Sequence, residues 1–275
     1  MSLRVGHIAY ANCVPFFHHL EAAGFQGVIR PGVPAQLNAL LADGRIDLSP
    51  SSSFEYGRHW RRYGLLPDLS ISACGPVRSV LLFSSSPFDK LAGVPVALTG
   101  ESATSINLLR LLCLEFYGFP LREMTDCRQP VEEIIAAGGS GLLIGDRALK
   151  AAMQSGAAYV HDLGELWWRH TGLPFVFALW IVHRDAMRRK ALELRQFQRQ
   201  LHVSLNRALS DLHRLARQSA ESSWLGIAQL ANYWQAMSYE FTDWHRQGLE
   251  RYFHLAVKHR LLPEMPQFNF VASVL

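Results

Sequence analysis

Apolar and polar positions fall into short blocks that repeat along the first two-thirds of the chain. Arg4–Ala9 (RVGHIA) is β-rich and breaks into Tyr10-Ala11-Asn12-Cys13-Val14-Pro15 before an amphipathic stretch that runs through Glu21. Asparagine as a helix cap and proline at a first helical position make this a strand–loop–helix unit. Pro34–Gly44 repeats apolar residues at helical spacing and stops at glycine. Ile46–Ser49 reads as a strand, Pro50-Ser51-Ser52-Ser53 as its loop, and a helix follows through Trp60. Ser70–Ala73 and Val77–Ser84 are strands, the second almost wholly apolar as buried central strands are. Val94–Leu98 (strand), Thr99–Ser105 (polar loop) and Ile106–Tyr117 (apolar helix) restart the pattern. Gly141–Ile144, Gly145-Asp146 and Arg147–Gln154 then repeat it as strand, turn and helix. Phe175–Val182 is a second long apolar strand, and Asp185–Gln218, Ser222–Gln235 and Thr242–His259 are helical.

Strands alternating with helices predict an α/β fold with mostly parallel sheets. The two long apolar strands, Val77–Ser84 and Phe175–Val182, bracket a segment the size of a small lobe, so both are read as hinge strands. One lobe is then discontinuous, 1–84 with 182–275, the other is 85–181, and a ligand cleft lies between them. The aromatic stripe of the helical tail (Trp224, Tyr233, Trp234, Tyr239, Trp244, Tyr252, Phe253) is expected to be core.

Composition changes this picture little. With 27 Lys and Arg against 23 Asp and Glu in 275 residues, the net charge is +4, too mild and too scattered for a nucleic-acid partner. Arg58, Arg61 and Arg62 around Trp60 read as the solvated end of a helix. The start, MSLRVGHIAYANC, lacks a basic segment followed by a long apolar core, and the stretch before Cys13 is too short for a lipoprotein anchor. The longest apolar run, Leu173–Val182, is well short of the roughly 20 residues that span a bilayer. A soluble, cytoplasmic chain with no membrane partner is expected; the oligomeric state stays open. Cys13, Cys74, Cys113 and Cys127 form no CxxC pair and have no zinc-spaced histidine, so reduced and mostly buried thiols are expected, with neither metal nor cofactor.

The chemistry is expected in the loops Tyr10–Pro15, Ser49–Ser53, Thr99–Ser105 and Gly145–Asp146. In a parallel sheet such loops gather at the carboxyl ends of the strands, where ligands bind. Helix N-termini there offer unpaired N–H groups to a carboxylate or phosphate, and serine and threonine hydroxyls add neutral donors. Each loop also has a simpler reading, with Ser51–Ser53 and Ser102–Ser105 acting only as helix caps. No GxGxxG follows a strand, and neither GxxxxGK[ST] nor GxSxG occurs. His7 reads as a core histidine.

The runs RVGHIAYANCVPFF, DGRIDLSPSSSFEY, SACGPVRSVLLFSS, VALTGESATSINLLRLL, LLIGDRAL and DLGELWWRHTGLPFVFALW, in that order, resemble the chorismate dehydratases of the futalosine route to menaquinone. The resemblance implies a fold like type II periplasmic binding proteins, used in the cytoplasm. It also implies conversion of chorismate to 3-[(1-carboxyvinyl)oxy]benzoate and water. By position, Asn12 matches the family's loop asparagine after the first strand and Ser79 its GPV-x-S serine, and both are expected to be catalytic. Tyr10, Ser51, Ser52, Thr104, Ser105, Gly145 and Asp146 fall at substrate-binding positions. Ala11 and the Ser49-Pro50 pair depart from the family pattern without changing a chemical group. No strong base stands in these loops, Asp146 and Glu55 being the candidates, which favours proton transfer to the substrate's own enolpyruvyl carboxylate. Three other readings are carried: the sister lyase acting on cyclic dehypoxanthinyl futalosine, a small organic-anion binding protein, and a sensor on the same fold.

Overall fold

The computed structural model of the protein describes residues 2–124, 129–154 and 156–271. Strand β1 (Arg4–Ile8) passes through a 3-10 turn (Ala11–Cys13) into α1 (Val14–Phe17). Then come β2 (Val28–Gly32), α2 (Pro34–Ala42), β3 (Leu48–Ser52), α3 (Ser53–His59) and β4 (Tyr63–Ala73). The middle of the chain forms β5 (Val80–Ser84), β6 (Pro95–Leu98), and α4 (Ala103–Leu111) closed by a π-type turn at Leu112–Phe116. It continues with β7 (Arg122–Glu123), α5 (Val131–Ala136), β8 (Ser140–Ile144), α6 (Gly145–Gln154), β9 (Tyr159–Asp162) and α7 (Leu163–Thr171). The return begins with β10 (Phe175–His183), α8 (Arg184–Arg189), α9 (Ala191–Leu209) and α10 (Leu212–Gln218). It ends with α11 (Ser222–Leu225), α12 (Ile227–Ala236), β11 (Ser238–Phe241) and α13 (Asp243–Lys258).

These elements form two compact units. One holds the chain up to Ile71, Ala178–Phe241 and the segment from Pro266; the other holds Ser72–Phe177 and Thr242–Met265. The first unit carries a sheet of order β11-β4-β10-β3-β1-β2. In it β1 runs parallel to β2 and β3, and β10 pairs antiparallel with β3. The second carries β7-β6-β8-β5-β9, with β6 parallel to β7 and β8, and β5 antiparallel to β8 and β9. Both sheets are therefore mixed: the expected parallel ladders are present, and β10 and β5 run against them.

Strand β5 is not one of the strands in which the chain changes unit. Its hydrogen bonds to β8 and β9 embed it in the second sheet, while the chain passes between units within β4 and within β10. An apolar run marks a strand buried on both faces and does not tell which sheet buries it. The division thus falls at 71/72 and 177/178 rather than at the expected 84/85 and 181/182. Helix α13 also moves to the second unit: Tyr252 packs edge-on against Phe175 at 5.0 Å, and Lys258 and His259 pair with Glu115.

The expected aromatic core is mostly present. Tyr233, Trp234, Tyr239, Tyr252 and Phe253 are buried, whereas Trp244 is 43% exposed and Trp224 half-buried. In the first unit, Phe16 stands edge-on to both Trp180 and Tyr239, at 5.3 and 5.2 Å. The single helix expected over 185–218 is three: Lys190, at φ −131°, separates α8 from α9, and Asp211 turns its side chain onto the Arg214 N–H and starts α10. The C-terminal segment is tied to β4 and α3. Leu65 donates to Asn269 O and accepts from Val271 N, while the Tyr56 hydroxyl donates to Gln267 O and accepts from Asn269 N. Among the described residues no helix is long and apolar enough to cross a membrane.

Candidate functional site

In the first unit the parallel pairing of β1 and β3 brings two of the expected loops side by side. Val5 lies opposite Leu48, so Ile8 and Ser51, each three residues further on, end their strands at the same level. Tyr10 and Asn12 follow the first strand; Ser51 and Ser52 close the second. The serines are strand residues rather than loop residues, paired across β10 with Leu179 and Ala178. Pro50 explains the open end: without an N–H it adds nothing to a ladder, and the β1–β3 pairing is confined to Val5 and Leu48 while the β10 side continues to Ser52.

The turn that carries Asn12 is set by tertiary contacts. Cys13 N–H donates to Tyr10 O, and the buried indole N–H of Trp234 on α12 donates to Ala11 O at 2.7 Å. The side-chain oxygen of Asn12 is buried with no hydrogen-bond partner, and so is the hydroxyl of Ser51, a residue with no exposed surface. A buried polar atom left unpaired costs about 1–3 kcal/mol, so two of them at neighbouring strand ends mark a place that a polar ligand completes. Cys13, the last residue of the turn, is also fully buried. His7 packs against Phe17 with ring centres 4.0 Å apart and planes tilted by 31°, and burial holds its pKa below the ordinary histidine value.

The second unit gathers the other expected residues. Strands β6 and β8 are parallel, with Leu98 opposite Leu142, so Thr99–Ser105 and Gly145–Asp146 leave the sheet side by side. Strand β5 is antiparallel to β8 with Val80 opposite Ile144, which puts Ser79, just before β5, at the same edge. The Gly145 N–H donates to Ser79 O at 2.8 Å. Gly145 opens α6 at φ 57°, a left-handed conformation that glycine adopts without strain. Gly145 and Asp146 are thus the first turn of a helix, not a separate turn. Thr104 and Ser105 are buried in the first turn of α4, and Tyr252 donates to Thr104 O at 3.2 Å. Ser102 is the cap of α4: its oxygen accepts from Ser105 N–H at 3.2 Å and from the Ser105 hydroxyl at 3.1 Å. The capping role that the sequence allowed for Ser102–Ser105 is therefore filled.

Of the two carboxylates considered as bases, Glu55 is engaged by His59 at 3.8 Å and Tyr63 at 3.5 Å. Arg147, beside Asp146, is held by Glu132 at 2.6 Å and Glu101 at 3.3 Å, so its charge is already matched. The sequence did not point to Asp162. Its Oδ1 accepts from the N–H groups of Val77 (3.1 Å), Gly164 (2.9 Å) and Glu165 (3.1 Å), and its Oδ2 from Arg78 N–H (2.6 Å). A signal was present: Asp162-Leu163-Gly164-Glu165 is a cap-and-glutamate pattern at a helix start.

Of the described cysteines, Cys13 and Cys113 are buried and Cys74 is exposed; Cys127 lies outside the described residues. Among the described residues no three His, Cys, Asp or Glu side chains are grouped to hold a metal ion. A cavity of about 830 Å³ opens in the second unit beside Ile135, Arg147, Ala151 and Ala157, and none of the expected site residues lines it.

A sequence model described as menaquinone biosynthesis matches residues 3–258. The chain belongs to the menaquinone-biosynthesis family. A family member named chorismate dehydratase, from Thermus thermophilus, is 37% identical over 262 residues, covering 88% of this chain and 91% of the relative. Among solved structures, a protein of Archaeoglobus fulgidus superposes with a TM-score of 0.75 at 17% identity, covering 95% of this chain and 98% of that one. An alkanesulfonate-binding protein of Xanthomonas axonopodis bound to MOPS superposes with a TM-score of 0.70 at 20% identity, covering 96% and 94%. The fold is periplasmic-binding-protein-like, on which the family has placed a biosynthetic role.

Proposed function

We propose that this family member is a chorismate dehydratase, a cytoplasmic hydro-lyase that converts chorismate to 3-[(1-carboxyvinyl)oxy]benzoate and water. Membership in the menaquinone-biosynthesis family carries the reading, and the unpaired Asn12 oxygen and Ser51 hydroxyl give it a chemical basis. Chorismate brings hydroxyl hydrogen and carboxylate oxygens, the complements of an amide and a hydroxyl. Loss of the ring hydroxyl with the neighbouring ring hydrogen leaves an aromatic ring, so the enzyme's task is to hold the conformer that eliminates. Positioning of this kind lowers a barrier by several kcal/mol.

In this reading Asn12 hydrogen-bonds the departing hydroxyl through its buried oxygen and a carboxylate through its N–H₂, and Ser79 fixes the side-chain carboxylate. Tyr10, Ser51, Ser52, Thr104, Ser105, Gly145 and Asp146 are the proposed substrate-binding residues. The proton leaves to the substrate's enolpyruvyl carboxylate, consistent with the pairing of Glu55 to His59 and Tyr63. Incubation of the purified protein with chorismate, followed by chromatography, is expected to yield the enolpyruvyl benzoate. Tight binding of chorismate without turnover would make the protein an organic-anion binder, and inertness toward it would favour the sister lyase.

A further inference from the structure

The loop Gly75–Ser79 has an unusual backbone. Gly75 stands at φ 125° and Arg78, a residue with a side chain, at φ 62°, a conformation that a non-glycine residue keeps only where its surroundings hold it there. Ser79 itself is buried, and its hydroxyl lies 3.4 Å from Val77 O. One carboxylate holds the middle of the loop. Asp162, at the end of β9, caps α7 through the N–H groups of Gly164 and Glu165 and at the same time accepts from the N–H groups of Val77 and Arg78. The Arg78 bond, at 2.6 Å, is the shortest of the four and comes from the strained residue next to Ser79.

The packing around this carboxylate leaves no slack. A Cβ on Gly164 would lie 2.7 Å from Gly75 O and 3.1 Å from Val77 N, so the start of α7 and the loop meet backbone to backbone. Strand pairing extends the clamp, because Asp162 is opposite Leu81 across the β5–β9 ladder. Burial pushes the Asp162 carboxyl above the ordinary range, and four N–H donors draw it part of the way back. The loop is thus pinned at both ends: Asp162 holds Val77 and Arg78, and Gly145 holds the Ser79 carbonyl.

We infer that Asp162 is a positioning residue for Ser79, its carboxylate acting as the template on which the Gly75–Ser79 loop is shaped so that the serine hydroxyl reaches substrate. The inference rests on the proposed role of Ser79 in chorismate dehydration. It predicts that Asp162 matters to catalysis only through Ser79, which a double-mutant cycle isolates.

Two variants separate the loop from the helix cap. Asp162→Asn keeps an oxygen for Val77, Gly164 and Glu165 but turns an N–H₂ toward the Arg78 N–H. Asp162→Ser keeps a hydroxyl able to cap α7 and loses reach to the loop. Each is made in the wild-type and in the Ser79→Ala protein, and kcat and KM for chorismate are measured with thermal unfolding as a control. In the wild-type background kcat is expected to fall by on the order of 30-fold, the scale of a sub-ångström to 1 Å misplacement, with KM within about threefold. In the Ser79→Ala background the same substitutions are expected to change kcat by less than about twofold. Equal losses in both backgrounds, or no loss in the wild-type background, overturn the inference. If wild-type protein leaves chorismate unchanged, the proposed function fails instead, and the two failures are distinct.

Discussion

Asn12→Asp is expected to lower kcat/KM for chorismate by on the order of a thousandfold. The substitution changes no atom positions but replaces an amide N–H₂ with a carboxylate oxygen beside a substrate that already carries two negative charges. Two unit charges about 4 Å apart repel by about 4 kcal/mol at an effective dielectric constant of 20, and each 1.36 kcal/mol is a factor of ten in rate. The site gives the charge little relief, since the Asn12 oxygen is buried with no partner and its turn is pinned by Trp234. The same surroundings raise the pKa of the introduced carboxyl. Below that pKa the side chain is neutral, so activity of the variant relative to wild type is expected to recover as pH falls. Asn12→Ala, which removes the amide without adding charge, is expected to lose less, roughly 10- to 100-fold, and to show no such recovery. Turnover is read by chromatographic release of the enolpyruvyl benzoate. An Asn12→Asp protein within about threefold of wild type at neutral pH removes Asn12 from the chemistry.

The largest loss of stability is expected at Asp47, at the opposite end of β3 from the serines. Its side chain is 5% exposed and holds two cations: Lys190 at 2.8 Å, on a side chain 12% exposed, and Arg4 at 2.8 Å, on one 41% exposed. It also accepts from the Arg4 backbone N–H. These contacts join the starts of β1 and β3 to the start of α9, all within the first unit. Removing one partner of a buried pair costs roughly 3–5 kcal/mol because the other charge is left uncompensated. Arg4 is exposed enough for water to screen it, so Asp47→Ala is placed at about 3 kcal/mol, carried mainly by Lys190. Burial works against the Asp47 charge, but the hydrogen bonds from Arg4 and Lys190 outweigh it and leave the pKa below the ordinary carboxylate value. The sign follows: the folded state binds this proton less readily than the unfolded chain. The contribution is complete above the unfolded carboxylate pKa near 4 and fades as pH falls through the lower folded value. Urea midpoints of wild type and variant are therefore expected to differ fully at pH 7 and to converge well below pH 4. A gap that stays constant over that range would show that the charge of Asp47 is not what stabilises the fold.

The candidate residues were legible to different depths in the two units. In the first unit, apolar alternation with a polar break is visible in RVGHIAYANC and again in RIDLSPSS, and the structure brings both breaks to neighbouring strand ends. In the second unit the loop at Thr99–Ser105 was legible as a helix start, and so was its cap. Asp162 was overlooked because its sequence pattern describes only what it does for α7. Its other two bonds reach back more than 80 residues to Val77 and Arg78, and no local spacing reports a contact of that range.

The sequence by itself determined the α/β alternation and the long buried strands, because these follow from periods of two and 3.6 residues. Only the tertiary structure decided which sheet owns Val80–Ser84, that the chain changes unit within β4 and β10, and that α13 packs with the second unit. An apolar run or stripe records that a surface is covered, while the identity of the covering element depends on long-range pairing. That same pairing leaves the Asn12 oxygen and the Ser51 hydroxyl buried and without partners at adjoining strand ends.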